Sequence, residues 1–395
     1  MKALIIGGGI AGPVAAMALR KADIEATVYE SYDSTADGIG AGLGIAANGI
    51  AALAVLGAEH TVLDTGVPMT AMVMESWNGR RLAEISHPTG RFIWRADLYR
   101  ALYDEMANRG IRVEHGKKLV STREDADGVT ARFADGTEAS ADLLIGADGL
   151  RSTLRPLIDP DAPQPRYSGL QSFGGRLADC GIPGTGGKMH MSFGRRAFFG
   201  YQVETDRTGG WFVNLPHPWL TRTAARAIPQ EQWLDTLIGA FAEDRTVAAG
   251  LLRGTDPAEL LVVGPMEDMP PVPRWSKGRM VLVGDAAHAP SSTSGQGASL
   301  AIESAVQLAR CLRDLPYPEA FAAFANLRRA RVEKIIANAA RANNDKAAGP
   351  VGRIIRDAVL PMAMKMLAKP EKMAWQYGYR IDWDAPVSPA PALVS

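Results

Sequence analysis

The segment from Arg279 to Leu312 contains the residue types and spacing best suited to hold a charged small molecule that carries hydroxyl groups. The apolar run from Met280 to Val283 predicts a buried strand that ends at Gly284-Asp285. An aspartate at this position can accept hydrogen bonds from sugar-alcohol hydroxyls. A loop of small residues containing Pro290 then leads to Gly295-Gln296-Gly297-Ala298, where a helix is predicted to begin. Because a helix N-terminus has free N–H groups and a positive dipole end, negative charge is favoured beside these glycines.

The helix after this loop has a consistent apolar face. Ala301, Ala305, Leu308 and Leu312 recur at near-helical spacing. An ordinary strand and helix joined by a glycine-rich turn would give the same pattern, so this segment alone leaves that alternative open. Two further segments bear on the choice.

The first thirty residues contain another strand, glycine turn and helix. Ala3 to Ile6 predicts a short buried strand, and a helix is expected from Pro13 to about Lys21. Between them lies Gly7-Gly8-Gly9-Ile10-Ala11-Gly12, whose GxGxxG spacing lets a pyrophosphate approach the backbone and lets the helix pack on the strand. A second strand, Ala26 to Tyr29, ends in Glu30, where an acid that binds a ribose is expected. The segment therefore predicts a dinucleotide site.

A third segment, Ala141 to Arg155, repeats the arrangement of a strand followed by an acid. The apolar strand ends at Asp148-Gly149, and Arg151 follows in the next turn. For an isolated Asp-Gly pair, a simple turn before a basic helix start would be the ordinary explanation. Here the pair is one of three similar strand ends, which favours a role at a cofactor.

Together the three segments resemble the flavoprotein aromatic hydroxylases, the single-component FAD monooxygenases that share the p-hydroxybenzoate hydroxylase fold. The chain is similar to the short form, which lacks a C-terminal thioredoxin-like domain. A further match is Arg95 in WRADLYRAL, followed by Leu98 and Leu102 at helical spacing. Ser299 and Ser304 depart from the pattern, because many relatives have Asn and Asp there.

The resemblance implies a cofactor role for each segment. Binding of the ADP part of FAD would fall to the first segment, and Asp148, Gly149 and Arg151 would serve both FAD and the electron donor. Asp285 would hold the flavin ribitol, with Arg95 nearby. The implied cofactor-binding residues are Gly7, Gly9, Ile10, Ala11, Gly12, Glu30, Arg95, Asp148, Gly149, Arg151, Asp285, Pro290, Gly295, Gln296, Gly297 and Ala298.

The resemblance also implies the reaction. NADPH or NADH would reduce FAD, and O2 would then give a flavin C4a-hydroperoxide that hydroxylates a small aromatic or polycyclic, antibiotic-like substrate. No side chain is expected to be catalytic, because the cofactor does the difficult chemistry. Epoxidation, reduction or halogenation on the same fold stays an alternative, as does a non-enzymatic binding protein. The Trp-x-Trp-x-Ile-Pro segment of the halogenases is absent, and Trp211 to Pro216 matches it only in part.

The predicted fold class is α/β: a Rossmann-like FAD-binding domain with a parallel sheet, an antiparallel-sheet substrate domain, and C-terminal helices. The cofactor domain is predicted to be discontinuous, at 1–70, 96–165 and 271–345. Five strand-like runs place the substrate domain at 71–95 and 166–270, leaving 346–395 as a C-terminal helix and tail. The runs are Ala71 to Trp77, Arg91 to Trp94, Lys188 to Phe193, Ala197 to Val203 and Gly210 to Leu215. A hairpin around Asp135-Gly136 is predicted within the cofactor domain.

The strand-like runs of the second domain supply candidate substrate residues. His190, Phe199, Tyr201 and Trp211 could line a dry pocket or anchor a substrate oxygen, although aromatic residues in any sheet are often core. Near the cofactor, His288 could contact the flavin or help the loop to pack.

Composition excludes several classes of function. The 43 basic and 43 acidic residues balance, so no electrostatic field favours nucleic acid or an anionic membrane. Two cysteines without a pattern indicate neither a disulfide framework nor a metal site, which favours a location in the cytoplasm. We expect a monomer or dimer without a membrane span. The Met-rich stretch from Ile354 to Ala368 predicts a packing helix, and the tail from Pro386 to Ser395 is expected to be loosely ordered.

Overall fold

The computed structural model of the chain describes residues 1–34, 41–346, 349–367 and 370–389. A six-stranded sheet forms the first layer, in the order β16-β17-β10-β1-β2-β6, and only β16 is antiparallel to its neighbour. Its strands are β1 (Lys2–Ile6), β2 (Glu25–Tyr29), β6 (Arg112–Glu114), β10 (Leu143–Gly146), β16 (Ser276–Lys277) and β17 (Met280–Leu282). Because β1, β10 and β17 are adjacent and parallel, the three loops singled out in the sequence leave the same edge of the sheet.

A small three-stranded ribbon is attached to this layer. It consists of β7 (Leu119–Glu124), β8 (Val129–Phe133) and β9 (Glu138–Ala141). The pairing of β8 with β9 confirms the hairpin predicted around Asp135-Gly136.

An eight-stranded, mainly antiparallel sheet forms the second layer, in the order β15-β11-β14-β13-β12-β4-β5-β3. Its strands are β3 (Gly42–Ile45), β4 (Val67–Ser76), β5 (Arg81–Trp94), β11 (Arg166–Leu177), β12 (Lys188–Phe193), β13 (Phe198–Val203), β14 (Gly209–Pro216) and β15 (Leu260–Asp268). The five predicted strand runs are present. Strand β3 joins this sheet although its residues lie within the predicted cofactor segments, so the domain division stays a prediction.

The eight-stranded sheet is strongly curled. Strand β5 lies four strands away from β14, yet a Cβ atom added at Gly210 on β14 would lie 2.8 Å from the ring of Trp94 on β5. The sheet therefore has a concave face, which carries Trp94 and Gly210, and an outer face on the other side.

Thirteen α-helices occur in the described residues. They are α1 (Ala11–Lys21), α2 (Ala47–Ala54), α3 (His60–Leu63), α4 (Arg95–Asn108), α5 (Leu154–Ile158), α6 (Arg222–Ala227), α7 (Gln230–Phe241), α8 (Ala248–Arg253), α9 (Asp285–His288), α10 (Gly297–Asp314), α11 (Tyr317–Lys346), α12 (Pro350–Leu367) and α13 (Pro370–Tyr377). Helices α1 and α10 share the largest apolar core with the parallel sheet, and α6 to α8 cover the outer face of the curled sheet. None of the described helices has the length and apolar character needed to cross a membrane.

The C-terminal segment is held by arginines on α10 and α11. The Arg331 guanidinium donates to the carbonyl oxygens of Trp375 and Gln376, and Arg310 donates to that of Ala385. From the predicted loose tail, Val387 is fixed by an N–H bond to Asp314, whereas residues 390–395 lie outside the described residues.

Helix α12 only partly matches the predicted packing helix. Leu360 packs against the core cluster of Phe193 and Phe198, and Arg356 is buried there. The opposite side of α12 is exposed, so packing is confirmed for one face only. Ala368, the predicted last residue of this helix, lies outside the described residues.

Candidate active site

The glycine turn after β1 has a backbone that only glycine fits at two positions. Gly7 has φ of +103°, and a Cβ there would lie 2.5 Å from the Ala147 carbonyl oxygen. A Cβ at Gly12 would lie 1.9 Å from the carbonyl oxygen of Gly7, so this glycine allows α1 to pack against the turn. The start of α1, with Ile10 and Ala11, is thereby brought to the carboxyl edge of the sheet.

Glu30 lies at the end of β2, and its carboxylate is tied to the glycine turn. It accepts the Gly8 N–H at 2.6 Å, the Tyr32 N–H at 2.9 Å and the Ser31 hydroxyl at 3.0 Å. This position, beside Gly8 in the glycine turn, is compatible with the predicted contact to a ribose, which stays a prediction.

Helix α4 places a row of three side chains along the glycine turn. The Arg95 guanidinium lies 3.5 Å from the Tyr99 hydroxyl, and Tyr99 is the nearest group to a Cβ built on Gly9. One turn further, the Tyr103 hydroxyl lies 2.1 Å from a Cβ built on Gly8, and burial raises its pKa. Sequence reasoning identified Arg95 but missed the tyrosines, although their spacing of four residues was a usable signal.

The Asp148-Gly149 loop has both a structural role and an unused polar atom. One carboxylate oxygen of Asp148 accepts the N–H groups of Thr153 at 2.7 Å and Leu154 at 3.1 Å, which caps α5. The other oxygen is buried and has no hydrogen-bond partner in the described part of the chain, and burial raises the pKa of this carboxyl. Gly149 has φ of +75°. Exposed Arg151 pairs with Glu267 at 2.7 Å.

Buried Arg155 joins two of the three loops. Its guanidinium donates to the carbonyl oxygen of Leu150 at 2.8 Å and to that of Ala286 at 3.1 Å. The loop after β10 and the loop after β17 are therefore fixed relative to each other.

The Gly284-Asp285 turn meets the first glycine turn directly. Gly284 has φ of +63°, and a Cβ there would lie 2.9 Å from the Ala11 side chain. The Asp285 side chain is exposed, whereas Gly284 and Ala286 on either side of it are buried. Desolvation by the protein atoms around the Asp285 carboxyl raises its pKa, and the nearby Arg95 charge opposes this increase. The structure thus brings two predicted residues from distant segments together.

The start of α10 completes a cradle at the carboxyl edge of the parallel sheet. The cradle consists of the turn at 7–12, the loop at 148–151, and the turn and helix start at 284–298. Buried Pro290 lies 3.7 Å from a Cβ built on Gly297, and Gly295 adopts the left-handed conformation. Gln296 is 0% exposed; its side-chain oxygen accepts from Asn48 at 2.9 Å, whereas its Nε2 has no partner among the described residues. Gly297 and Ala298 are half-buried at the helix N-terminus.

A buried charge cluster lies behind Gln296. The Glu303 carboxylate accepts from Asn48 at 2.6 Å and pairs with Arg328 at 2.6 Å and Arg331 at 2.8 Å. Burial alone would raise the pKa of Glu303, but the two guanidinium groups more than offset it and lower the pKa. Asn48 was missed from the sequence because nothing near it marks a site. Its importance comes from tertiary contact with α10.

His288 is a packing residue. It is buried against Trp275, its Nε2 lies 2.8 Å from the Ser304 hydroxyl, and burial lowers its pKa to about 3. Ser299, the other departure from the family pattern, accepts the Ala46 N–H at 3.1 Å. Ser299 and Ser304 therefore fix neighbouring elements of the cradle through hydrogen bonds.

The cradle fits a dinucleotide with polyhydroxyl and anionic groups. Its glycines leave backbone that side chains would cover, and buried polar atoms of Asp148, Gln296 and Arg95 are left without protein partners in the described residues. The described residues contain no cluster of three or more potential metal ligands. Fold and site together define a dinucleotide-binding protein with a second sheet beside the cradle.

Comparison with known proteins identifies the family. The model of the FAD binding domain family matches residues 1–171 and 270–339. The chain belongs to this family.

Two curated relatives are similar over most of their length. The FAD-dependent urate hydroxylase of Klebsiella pneumoniae is 32% identical over 324 residues, which cover 79% of this chain and 82% of the relative. The 3-amino-4-hydroxybenzoate 2-monooxygenase PtmB3 of Streptomyces platensis is 32% identical over 400 residues, with 95% of each chain covered. The solved structure of Klebsiella pneumoniae HpxO with FAD and uric acid superposes with a TM-score of 0.83 at 26% identity and covers 95% of this chain and 97% of that one. The chain is an FAD-dependent monooxygenase.

The four predicted substrate residues share one face of the curled sheet. Phe199, Tyr201 and Trp211 lie on the outer face of the curled sheet, buried in the core beneath α6 to α8. His190 shares that face, stacked on Tyr201, and its Nδ1 lies 2.9 Å from Glu75. Their role in substrate binding stays a prediction, and their neighbours along each strand point to the concave face because side chains alternate between faces.

The concave face carries a different set of side chains. Phe198 pairs with Asn214 and Gly200 pairs with Phe212, so these residues point away from the helices α6 to α8. The residues of this face that are half-buried and apolar are Met72, Met74, Phe92, Trp94, Met191 and Phe212. Trp94 directly precedes Arg95, which connects this face to the cofactor cradle.

Proposed function

We propose that this monooxygenase hydroxylates a neutral aromatic or polycyclic small molecule on the concave face of the curled sheet. The observation that supports it is the position of this aromatic and Met-rich face next to the cradle, with Trp94 on the face and Arg95 beside Asp285. Flat apolar side chains can stack on an aromatic substrate and exclude water. The urate and aminohydroxybenzoate named for the relatives are also ring compounds.

The charges on the concave face favour a neutral substrate. Arg176 stacks on Trp94 at 4.2 Å and lies 3.6 Å from Asp97, and Arg356 pairs with Asp357 at 2.7 Å. Both cations thus already have an acidic partner. The polar groups on this face that would orient a hydroxyl or carbonyl are the amide of Asn214 and the Ser172 hydroxyl, which are 3.1 Å apart.

FAD supplies the redox chemistry with dioxygen when it is bound, and this chain supplies binding, orientation and exclusion of water. In our proposal Gly7, Gly9, Ile10, Ala11 and Gly12 hold the pyrophosphate, and Glu30 holds the adenosine ribose. Asp285 accepts from the ribitol hydroxyls. The N-terminus of α10, from Gly295 to Ala298 with Pro290 behind it, stabilises negative charge on the flavin.

The electron donor, NADPH or NADH, is used transiently in this class of enzyme. We propose that exposed Arg151 at the loop after β10 meets it, while Asp148 and Gly149 shape the loop around both nucleotides. The choice between the two donors is a matter for measurement. The free thiols of Cys180 and Cys311 support our proposal of a cytoplasmic enzyme.

The test is anaerobic reduction of the FAD-loaded protein by NADPH or NADH, with a panel of phenols and polycyclic aromatic compounds. We expect one class of compound to accelerate flavin reduction and to be hydroxylated when oxygen is admitted. If flavin is bound but no aromatic compound accelerates reduction or is oxygenated, the proposed substrate class is wrong.

Two variants locate the substrate. Phe212→Ala on the concave face should raise KM by about tenfold or more, because a buried aromatic contact is worth at least 1.4 kcal/mol. Tyr201→Phe on the outer face is the matched control and should leave KM unchanged. The reverse result would return the substrate to the outer face.

A further inference from the structure

Helix α12 presents an exposed stripe that contains only apolar residues. Val351 is 70% exposed, Ile354 72%, Ile355 58%, Val359 56% and Met362 71%. Exposed Ala358 lies among them. We call this set the α12 stripe. Isolated apolar residues on a surface are ordinary, but a contiguous row of this kind marks a contact surface.

The opposite side of α12 is fixed to the curled sheet, so the stripe cannot rotate inward. Asp357 accepts from the Ser76 hydroxyl, and its carbonyl oxygen accepts from Arg80 at 2.6 Å. The Arg356 guanidinium lies 4.4 Å from the centre of the Phe193 ring, and Leu360 packs on the same cluster. The helix is therefore anchored by one face and unpartnered, among the described residues, on the other.

The spacing of the α12 stripe matches a helix-pairing seam. Its residues recur at intervals of three and four from position 351 to position 362, as in the contact row of paired helices. All are aliphatic or Met, so the row is complementary to itself across a two-fold axis. None of the six residues of the stripe carries a charge.

We propose that the α12 stripe is the interface with a second copy of this chain, in which the two α12 helices pack against each other. The exposed fractions of its side chains correspond to roughly 500–600 Å² of apolar surface per copy. A symmetric pair would then bury about 1,000–1,200 Å², at the lower limit of specific interfaces. This area gives a weak, concentration-dependent dimer.

The surroundings of the stripe favour a protein partner over a lipid surface. A helix that lies on a membrane generally has free Lys or Arg beside its apolar face and aromatic residues within it. Among the basic residues of α12 whose side chains the structure describes, Arg353 donates to the carbonyl oxygen of Arg195 and Arg356 pairs with Asp357. The stripe itself contains no aromatic residue.

The experiment is sedimentation velocity on the full-length, FAD-loaded protein across the micromolar range. Wild type should shift from monomer to dimer as concentration rises. Ile354→Glu should weaken the dimer by on the order of a hundredfold, because a carboxylate would enter an apolar contact. Ile354→Leu, which conserves volume, should retain the dimer.

Val120→Glu is the matched control. Val120 is 53% exposed on β7, outside the stripe, and this variant should dimerise like wild type. An unchanged flavin spectrum and melting temperature in every variant would show that the fold is retained, and no substrate is needed for the readout. A wild type that stays monomeric throughout, or an Ile354→Glu variant that dimerises normally, would overturn the proposal.

Co-sedimentation with lipid vesicles tests the alternative that the α12 stripe contacts a membrane surface. Monomeric wild type that co-sediments with phosphatidylcholine or phosphatidylserine vesicles, together with loss of this binding in Ile354→Glu, would assign the stripe to a membrane surface and reject the dimer. We expect no co-sedimentation with either vesicle.

Discussion

Three loops leave the carboxyl edge of the parallel sheet and converge on one cradle, whereas the side chains of the curled sheet divide between two faces with different surroundings. At the cradle, the backbone around Gly7, Gly12 and Gly284 leaves too little space for a Cβ atom, so these positions require glycine. On β13, Phe198 faces the concave side and Phe199 lies in the helical core. A site formed by backbone shape can therefore be predicted from consecutive residues. A site formed by side-chain direction depends instead on which elements cover each face of the sheet.

The largest effect should come from filling the cradle. Gly12→Val would place side-chain atoms on the carbonyl oxygen of Gly7, so we expect loss of bound FAD and a free energy of unfolding lower by several kcal/mol. The ratio of flavin absorbance to protein absorbance and thermal unfolding measure both. Gly239→Ala is the control, because a Cβ there meets nothing within 4 Å and α7 should be unchanged or slightly stabilised.

A second test removes one side chain of the cradle while leaving its backbone. Asp285→Ala should weaken FAD binding by about 1–3 kcal/mol, because hydrogen bonds to the ribitol are lost. Equilibrium titration of the apoprotein with FAD gives the dissociation constant. Asp285→Asn keeps one acceptor oxygen, so its affinity for FAD should fall between those of wild type and Asp285→Ala. Unchanged affinity in Asp285→Ala would remove this residue from the site.

On the outer face of the curled sheet, a substitution should affect stability and not the reaction. Thr255→Val leaves the indole N–H of buried Trp211, which donates to the Thr255 hydroxyl at 3.0 Å, without a partner. We expect the free energy of unfolding to fall by about 1–2 kcal/mol in urea denaturation, with KM unchanged. Thr255→Ser should retain the bond. A changed KM in Thr255→Val would indicate that this face contributes to the substrate site.

The last prediction concerns pH. His288 has a pKa of about 3 in the folded protein and about 6.5 as its ordinary value, so between these values the unfolded chain binds the extra proton. Its contribution to stability is therefore present above pH 6.5 and declines as pH falls, by at most about 1.4 kcal/mol per pH unit. Urea denaturation at pH 7, 6 and 5 should show a shallower decline for His288→Gln. Equal slopes would indicate that His288 is accessible to protons in the folded state.

Much of the cradle could be predicted from the sequence because its requirements are local. A strand end, a turn with positive φ and a helix start occupy a few consecutive residues, and the three examples share one pattern. Asn48 could not be found in this way. Asn48 joins Gln296 and Glu303 only because α2 packs on α10, and separations of about 250 residues leave no periodic trace.

Local patterns in the sequence were sufficient to predict the family, the cofactor, the reaction class and five strands of the second sheet. The face of that sheet that meets the cradle depends on tertiary packing, because alternation fixes that neighbours point apart but not which side the helices α6 to α8 cover. Tertiary packing likewise determines that one side of α12 is anchored and the other exposed. Both outcomes depend on long-range packing, in which a chain segment acquires its surroundings from elements distant in sequence.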